Sequence, residues 1–172
     1  MSMRKQQKGF SLIELLIVVA IILIIAAIAI PNLLRAQMAA NEASAVGSLR
    51  TLTTAQTTYF SMYNLGYATT YAELGPGVND CTGATLIDAV LAGGQKSGYN
   101  FPPIVSTPNN TPAAILASTG CADGGATWNV NANPVACDNN GHRTFYIDES
   151  GVITYSAAAG CPAAGPASTP LQ

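Results

Sequence analysis

The chain begins with a long apolar stretch. From Leu15 to Ile30 no side chain is polar, and only Ser11 and Glu14 interrupt the stretch between Phe10 and that point. As a helix, residues 10–30 would span roughly 31 Å, because each residue adds about 1.5 Å. The hydrocarbon layer of a bilayer is about 30 Å thick. The pattern therefore predicts a transmembrane helix, and Arg4, Lys5 and Lys8 ahead of it predict a cytoplasmic N-terminus.

Helical periodicity continues beyond the apolar stretch. Pro31 follows it, and a proline inside a helix removes a donor and kinks or opens the turn. From Asn32 to about Tyr63 residues at spacings of three and four define two faces. The face predicted to pack on a globular head contains Met38, Ala45, Val46, Leu49, Leu52, Gln56, Phe60 and Tyr63. The face predicted to be polar contains Arg35, Asn41, Glu42, Ser48, Arg50 and Thr51.

Short elements and turns are typical of the rest of the chain. Segments 70–74 and 86–91 predict single helical turns, and the strands are expected at 99–101, 127–130, 143–147 and 152–155. Tight turns between the later strands favour an antiparallel meander. The predicted class is α+β, with a long N-terminal helix packed on a small antiparallel sheet. Residues 102–126 are expected to form an exposed insertion, and residues 162–172 a disordered tail.

The charge distribution excludes one class of partner. Charged residues make up only 9% of the chain and the formal net charge is -2. Without the first nine residues, four basic and nine acidic side chains remain. An acidic body gives no electrostatic basis for nucleic-acid binding.

Four cysteines follow the apolar stretch, and none forms a Cys-x-x-Cys pair. An even number beyond a membrane segment predicts two disulfides in an oxidising compartment, with buried free thiols as the alternative. If the strands alternate in direction, Cys137 and Cys161 lie at one end of the sheet. This favours Cys137–Cys161 with Cys81–Cys121, and the other two connectivities stay open.

Glu14 is the exception within the apolar stretch. A carboxylate in a membrane helix costs about 2.5–3.5 kcal/mol and is usually paired. Phe10 lies one helical turn before it. Cleavage after Gly9 would give Phe10 a free amine, which could pair with Glu14 of a neighbouring subunit or of the same one.

These residues resemble a known family. The string from Lys8 to Leu15, the apolar stretch and Pro31 closely resemble the processing site of type IV prepilins and pseudopilins. The resemblance implies cleavage after Gly9 by a prepilin peptidase and N-methylation of Phe10 by the same enzyme. It also implies assembly by an inner-membrane platform with a motor ATPase, in which Phe10, Glu14 and Pro31 take part.

The resemblance at the N-terminus and the composition of the rest together divide the chain into five parts. These are a leader (1–9), a transmembrane and filament-core helix (10–30), its amphipathic continuation (31–63), a β-rich head (64–161) and a tail (162–172). The expected function is that of a structural subunit of a type IV pilus, which polymerises with copies of itself and related pilins. Before assembly it lies in the lipid of the bacterial inner membrane with its head in the periplasm, and afterwards in an extracellular pilus.

Two other functions remain open on the sequence. One is a pseudopilin of a type II secretion system, and the other is a membrane-anchored binding module. No catalytic constellation is present, so we expect no enzyme, cofactor or metal. His142 lies in a predicted turn and is expected to be a solvated surface residue, and Asp148 with Glu149 lacks the spacing of a calcium loop.

Overall fold

The computed structural model describes residues 9–171. The chain forms two compact units that meet between Ala36 and Gln37, and each is considered by itself. Helix α1 contributes to both. The elements in chain order are α1 (Leu12–Tyr63), α2 (Tyr71–Leu74), α3 (Ala89–Ala92), β1 (Gln95–Lys96), β2 (Tyr99–Asn100), β3 (Val105–Pro108), α4 (Ala113–Thr119), β4 (Gly125–Pro134), β5 (Thr144–Asp148), β6 (Thr154–Ser156) and β7 (Thr169–Pro170).

The first unit consists of the apolar part of α1. The chain stays helical through Pro31, so the local opening expected at this proline is not seen. A single proline removes only one donor from the helix, and the turns on either side keep their own hydrogen bonds.

In the second unit α1 buries one narrow stripe. Its buried residues are Glu42, Ala45, Ser48, Leu49, Leu52, Ala55, Gln56 and Tyr59. Leu49 and Leu52 were correctly predicted to pack on the head. Glu42 and Ser48 were predicted on the polar face, but both are buried. Phe60 was predicted to pack on the head, but it is 42% exposed. The buried stripe advances in steps of three and four residues and reaches Tyr59, so Phe60 lies beside it.

The sheet is antiparallel throughout and is organised around β4. Its order is β1-β2-β4-β5-β6-β7, and β3 also pairs with β4. The β4–β5 register places Val130 opposite Ile147 and Ala132 opposite Phe145. The α+β class predicted from the sequence is confirmed.

One face of the sheet forms the core with α1. Trp128, Tyr99 and Phe145 are the largest fully buried side chains, and they pack in one cluster with Leu49 and Leu52. Burying each such side chain contributes about 1.5–3 kcal/mol. The amphipathic part of α1 is therefore an integral part of the head.

The predicted exposed insertion and the tail both contribute to the head. The insertion 102–126 contains β3, which pairs with β4, and helix α4. The tail was expected to be disordered, yet β7 pairs with β6 and Ala164 is buried. The composition of the tail did not predict its order, because hydrogen bonds from the sheet hold it in place. The Thr144 hydroxyl donates to the Pro162 carbonyl at 2.6 Å, and the Thr154 hydroxyl donates to the Gly165 carbonyl at 2.8 Å.

Candidate assembly site

The N-terminal residues predicted to be processed are accessible. Gly9 and Phe10 are exposed, and the Phe10 side chain is 76% exposed. Helix α1 begins two residues later, at Leu12, so the bond after Gly9 precedes the first helical turn. A protease requires an accessible backbone outside a helix, and this bond lies in such a segment.

Glu14 occupies a defined position at the start of α1. Its carboxylate accepts a hydrogen bond from the backbone N–H of Ser11 at 3.2 Å. Ser11 precedes the first helical residue and Glu14 is the third, which is half of a capping box. In the uncut chain this acid therefore caps the helix and complements its dipole. Phe10 is still joined to Gly9, so the structure leaves the pairing with a free Phe10 amine as a proposal.

The apolar part of α1 exposes an unusually large hydrophobic surface. From Leu12 to Leu34 all sixteen Leu, Ile and Val side chains are at least 46% exposed. Burying such a side chain is worth about 1.5–3 kcal/mol, so even half of that value gives a total on the order of 12–24 kcal/mol. Whole domains are stable by only about 5–15 kcal/mol. This surface must be covered by lipid or protein.

By length and composition, α1 can cross a bilayer. Pro31 lies within the exposed part of the helix, one residue after Ile30. Of the three residues predicted to take part in assembly, Phe10 and Glu14 lie at the start of the apolar stretch and Pro31 lies at its end. Nothing in their geometry brings Pro31 together with the other two.

In the second unit a charged contact fixes α1 to the sheet. The Glu42 carboxylate accepts hydrogen bonds from the backbone N–H groups of His142 at 2.8 Å and Arg143 at 3.1 Å. It also accepts one from Nε of Arg143 at 2.7 Å and forms an ion pair with Nη2 of the same guanidinium at 2.7 Å. The guanidinium lies over the rings of Phe145 and Tyr155, 5.6 and 5.5 Å from their centroids.

Sequence reasoning missed this contact. Glu42 is a charged residue that was assigned to the polar face, and its partner Arg143 lies 101 residues away in the sequence. The available signal was the spacing of three between Glu42 and Ala45, which places the acid on the buried stripe.

Two further polar contacts hold the loop after α1. The buried Gln56 amide donates to the Ala68 carbonyl at 2.9 Å and accepts from the Ala68 N–H at 2.8 Å. The Tyr59 hydroxyl donates to the Cys81 carbonyl at 2.8 Å. Burial raises the pKa of Tyr59 well above its usual value, so this hydroxyl remains a donor at physiological pH.

The four cysteines form two disulfides. Cys81 is bonded to Cys121 and Cys137 to Cys161, with Cα–Cα distances of 5.8 and 5.9 Å. This is the pairing favoured from the predicted strand directions. The first disulfide holds the segment after α4, and the second holds the start of the tail. Each typically contributes about 2–4 kcal/mol.

The described residues offer little for catalysis. Cys137, Asp138 and Cys161 lie close together, but both sulfurs are in a disulfide and are unavailable to a metal. His142 is exposed, as expected, and its ring contacts the Asp138 carboxylate. A shallow groove of about 410 Å³ runs between Thr69–Tyr71 and Asn100–Ile104, and no acid, histidine or cysteine lines it.

Comparison with known proteins agrees with the N-terminal geometry. A family model described as the prokaryotic N-terminal methylation motif matches residues 4–30. The type IV major pilin protein PilA of Myxococcus xanthus is 52% identical over 56 residues, which are 33% of this chain and 26% of that protein. The type IV wide pilus major component PilA4 of Thermus thermophilus is 63% identical over 38 residues, 22% of this chain and 29% of that protein.

The chain carries the prokaryotic N-terminal methylation motif in residues 4–30 and is similar over part of its length to two type IV pilins. The matched segments span less than a third of either pilin, and no solved structure matches the chain significantly. The relatives are structural pilins, which is consistent with the absence of a catalytic constellation in the sequence. The methylation motif and the apolar helix together indicate an N-terminal membrane anchor.

Proposed function

We propose that this chain is the precursor of a structural subunit of a type IV pilus. A prepilin peptidase cleaves it after Gly9 and methylates the new Phe10 amine. An inner-membrane platform and its motor ATPase then move the subunit from the bilayer, where its head faces the periplasm, into an extracellular filament. The observation that carries this proposal is the exposed apolar surface of α1 from Leu12 to Leu34.

The transfer replaces one apolar environment with another. In the bilayer, lipid tails cover the apolar side chains. In a filament, the equivalent helices of other subunits cover them, so the transfer requires little change in hydrophobic free energy. Glu14 is the costly group in both environments. An amine on Phe10 of a neighbouring subunit would offset that cost and would also fix the register between the two helices.

The pilus is favoured over a secretion-system pseudopilin because both relatives named above are pilus components. The anchored binding module is less favoured, because the groove beside Tyr71 lacks convergent charged groups.

Mass spectrometry of filaments sheared from cells tests the proposal. We expect this chain as an intact subunit that begins at Phe10, carries one methyl group and retains both disulfides. Cells without the peptidase should accumulate the uncut chain in the membrane and produce no filaments from it. An uncut chain in sheared filaments, or no filaments containing it, would contradict the proposal.

A further inference from the structure

The C-terminal segment 162–171, the strap, closes one edge of the sheet. Its strand β7 pairs with β6, and the N–H of Leu171 donates to the Ile153 carbonyl at 2.8 Å. The other side of β6 is paired with β5, so β6 would be an edge strand without the strap. An edge strand presents unpaired N–H and C=O groups to other chains. The strap therefore covers backbone groups that another extended segment could otherwise bind.

The side chains of the strap contribute little to its attachment. It carries no charge, and Leu171 is its only large apolar side chain. Leu171 is partly buried and Ala164 is buried. The sheet adds two hydrogen bonds, from the hydroxyls of Thr144 and Thr154. Because ordering each residue of a segment costs conformational entropy and each neutral hydrogen bond returns little, these contacts alone hold the strap weakly.

A disulfide supplies the covalent attachment of the strap. Cys161, directly before the strap, is bonded to Cys137 in the turn before β5. Both cysteines are partly exposed, and neither belongs to the buried core cluster. By contrast, Cys81 is 6% exposed and lies in that cluster, with Cys121 packed against it. Thiol–disulfide exchange requires a thiolate to reach a sulfur, so we expect Cys137–Cys161 to react first.

The rest of the head is held by contacts that do not involve the strap. The largest fully buried side chains, Trp128, Tyr99 and Phe145, lie in strands β4, β2 and β5 respectively. In the part of the chain that the structure describes, Leu171 is the one strap residue packed against their cluster. Strand β4 pairs directly with both β2 and β5. Release of the strap therefore leaves the core and its central strands in place.

We propose that Cys137–Cys161 is a reducible latch, and that a dithiol reductant releases the strap while the head stays folded. One thiolate of the reductant attacks a sulfur of the latch, forms a mixed disulfide and displaces the other cysteine as a thiolate. The second thiol of the reductant then displaces the first cysteine and closes the reductant's own disulfide. Two electrons and two protons pass to the protein, which ends with two thiols. Release opens the edge of β6 to an extended segment of another molecule.

Hydrogen exchange of the full chain in detergent tests the latch. In the double variant Cys137→Ser, Cys161→Ser, the Leu171 amide should exchange at least about tenfold faster than in the unsubstituted chain, whereas the Val130 amide of β4 should stay within about twofold. An unchanged Leu171 amide would show that the strap docks without the latch. Equal acceleration at Leu171 and Val130 would show that the disulfide holds the whole head. Either result would overturn the proposal.

Alkylation of the unsubstituted chain gives a second readout, with the other disulfide as the matched control. During limited reduction by dithiothreitol, Cys137 and Cys161 should be alkylated at least about fivefold faster than Cys81 and Cys121. The Leu171 amide should lose its protection from exchange at the same rate as Cys137 is alkylated. Alkylation of all four cysteines at one rate, or of Cys81 first, would contradict the assignment of the latch.

Discussion

The two parts of helix α1 share a backbone conformation and differ in what covers their side chains. Up to Leu34 the Leu, Ile and Val side chains are exposed, whereas Leu49 and Leu52 are at most 1% exposed. The first part is apolar on every side, and the second is apolar along one stripe. The second part obtains its partner from its own chain. The first part has to find its partner outside, which is why we assign assembly to it and stability to the head.

A matched pair of leucine substitutions, one in each part of α1, should give the largest difference in head stability. Leu49→Ala removes a fully buried side chain from the head and should lower the free energy of unfolding by about 2–5 kcal/mol. Leu23→Ala removes the same atoms from a side chain that is 63% exposed. It should change head stability by less than about 0.5 kcal/mol. Thermal unfolding of the full chain in detergent measures both.

The comparison fails if the two variants are equally stable. Relative to the stability that each variant loses, filament yield should fall more in Leu23→Ala than in Leu49→Ala. Leu23→Ala should reduce assembly with the head still folded, whereas any loss in Leu49→Ala should follow its unfolding.

The charged contact between Glu42 of α1 and Arg143, which directly precedes β5, should give a smaller effect. Glu42→Gln keeps an oxygen that can accept from the His142 N–H but removes the ion pair with Arg143. We expect a loss of about 1–3 kcal/mol, because the Glu42 side chain is nearly buried while the guanidinium is partly solvated.

The control for this variant is the exposed ion pair of the head. Asp88 caps α3 and pairs with Lys96 at 2.8 Å, and the hydrogen bond from Lys96 keeps the pKa of Asp88 below its usual value. Asp88→Asn keeps the cap and should cost less than about 1 kcal/mol. A larger loss here than for Glu42→Gln would show that burial does not set the strength of these pairs.

Sequence reasoning succeeded where one physical constraint dominates. The continuous apolar stretch from Leu15 to Ile30 can hardly be anything but a buried or membrane helix, and strong β patterns located the central strands. It was less successful where distant residues decide the outcome. Glu42 looks like a surface residue until its partner Arg143 is known, and the tail is ordered through hydroxyls of Thr144 and Thr154.

The proposed processing site shows the same contrast between local and distant determinants. The positions of Gly9, Phe10 and Glu14 follow from a local motif, and a family model matches the region that contains them. The capping contact from Ser11 to Glu14 could also have been foreseen, since the acid is the third helical residue.

The most direct test of the central claim compares Glu14→Gln with Glu14→Ala in sheared filaments. Gln keeps an oxygen that can cap α1 through the Ser11 N–H but has no charge to pair with a Phe10 amine. If charge pairing between subunits controls assembly, both variants are cleaved after Gly9 and both lose filaments. Abundant filaments built from cleaved Glu14→Gln subunits would contradict the account, because helix capping alone would then suffice.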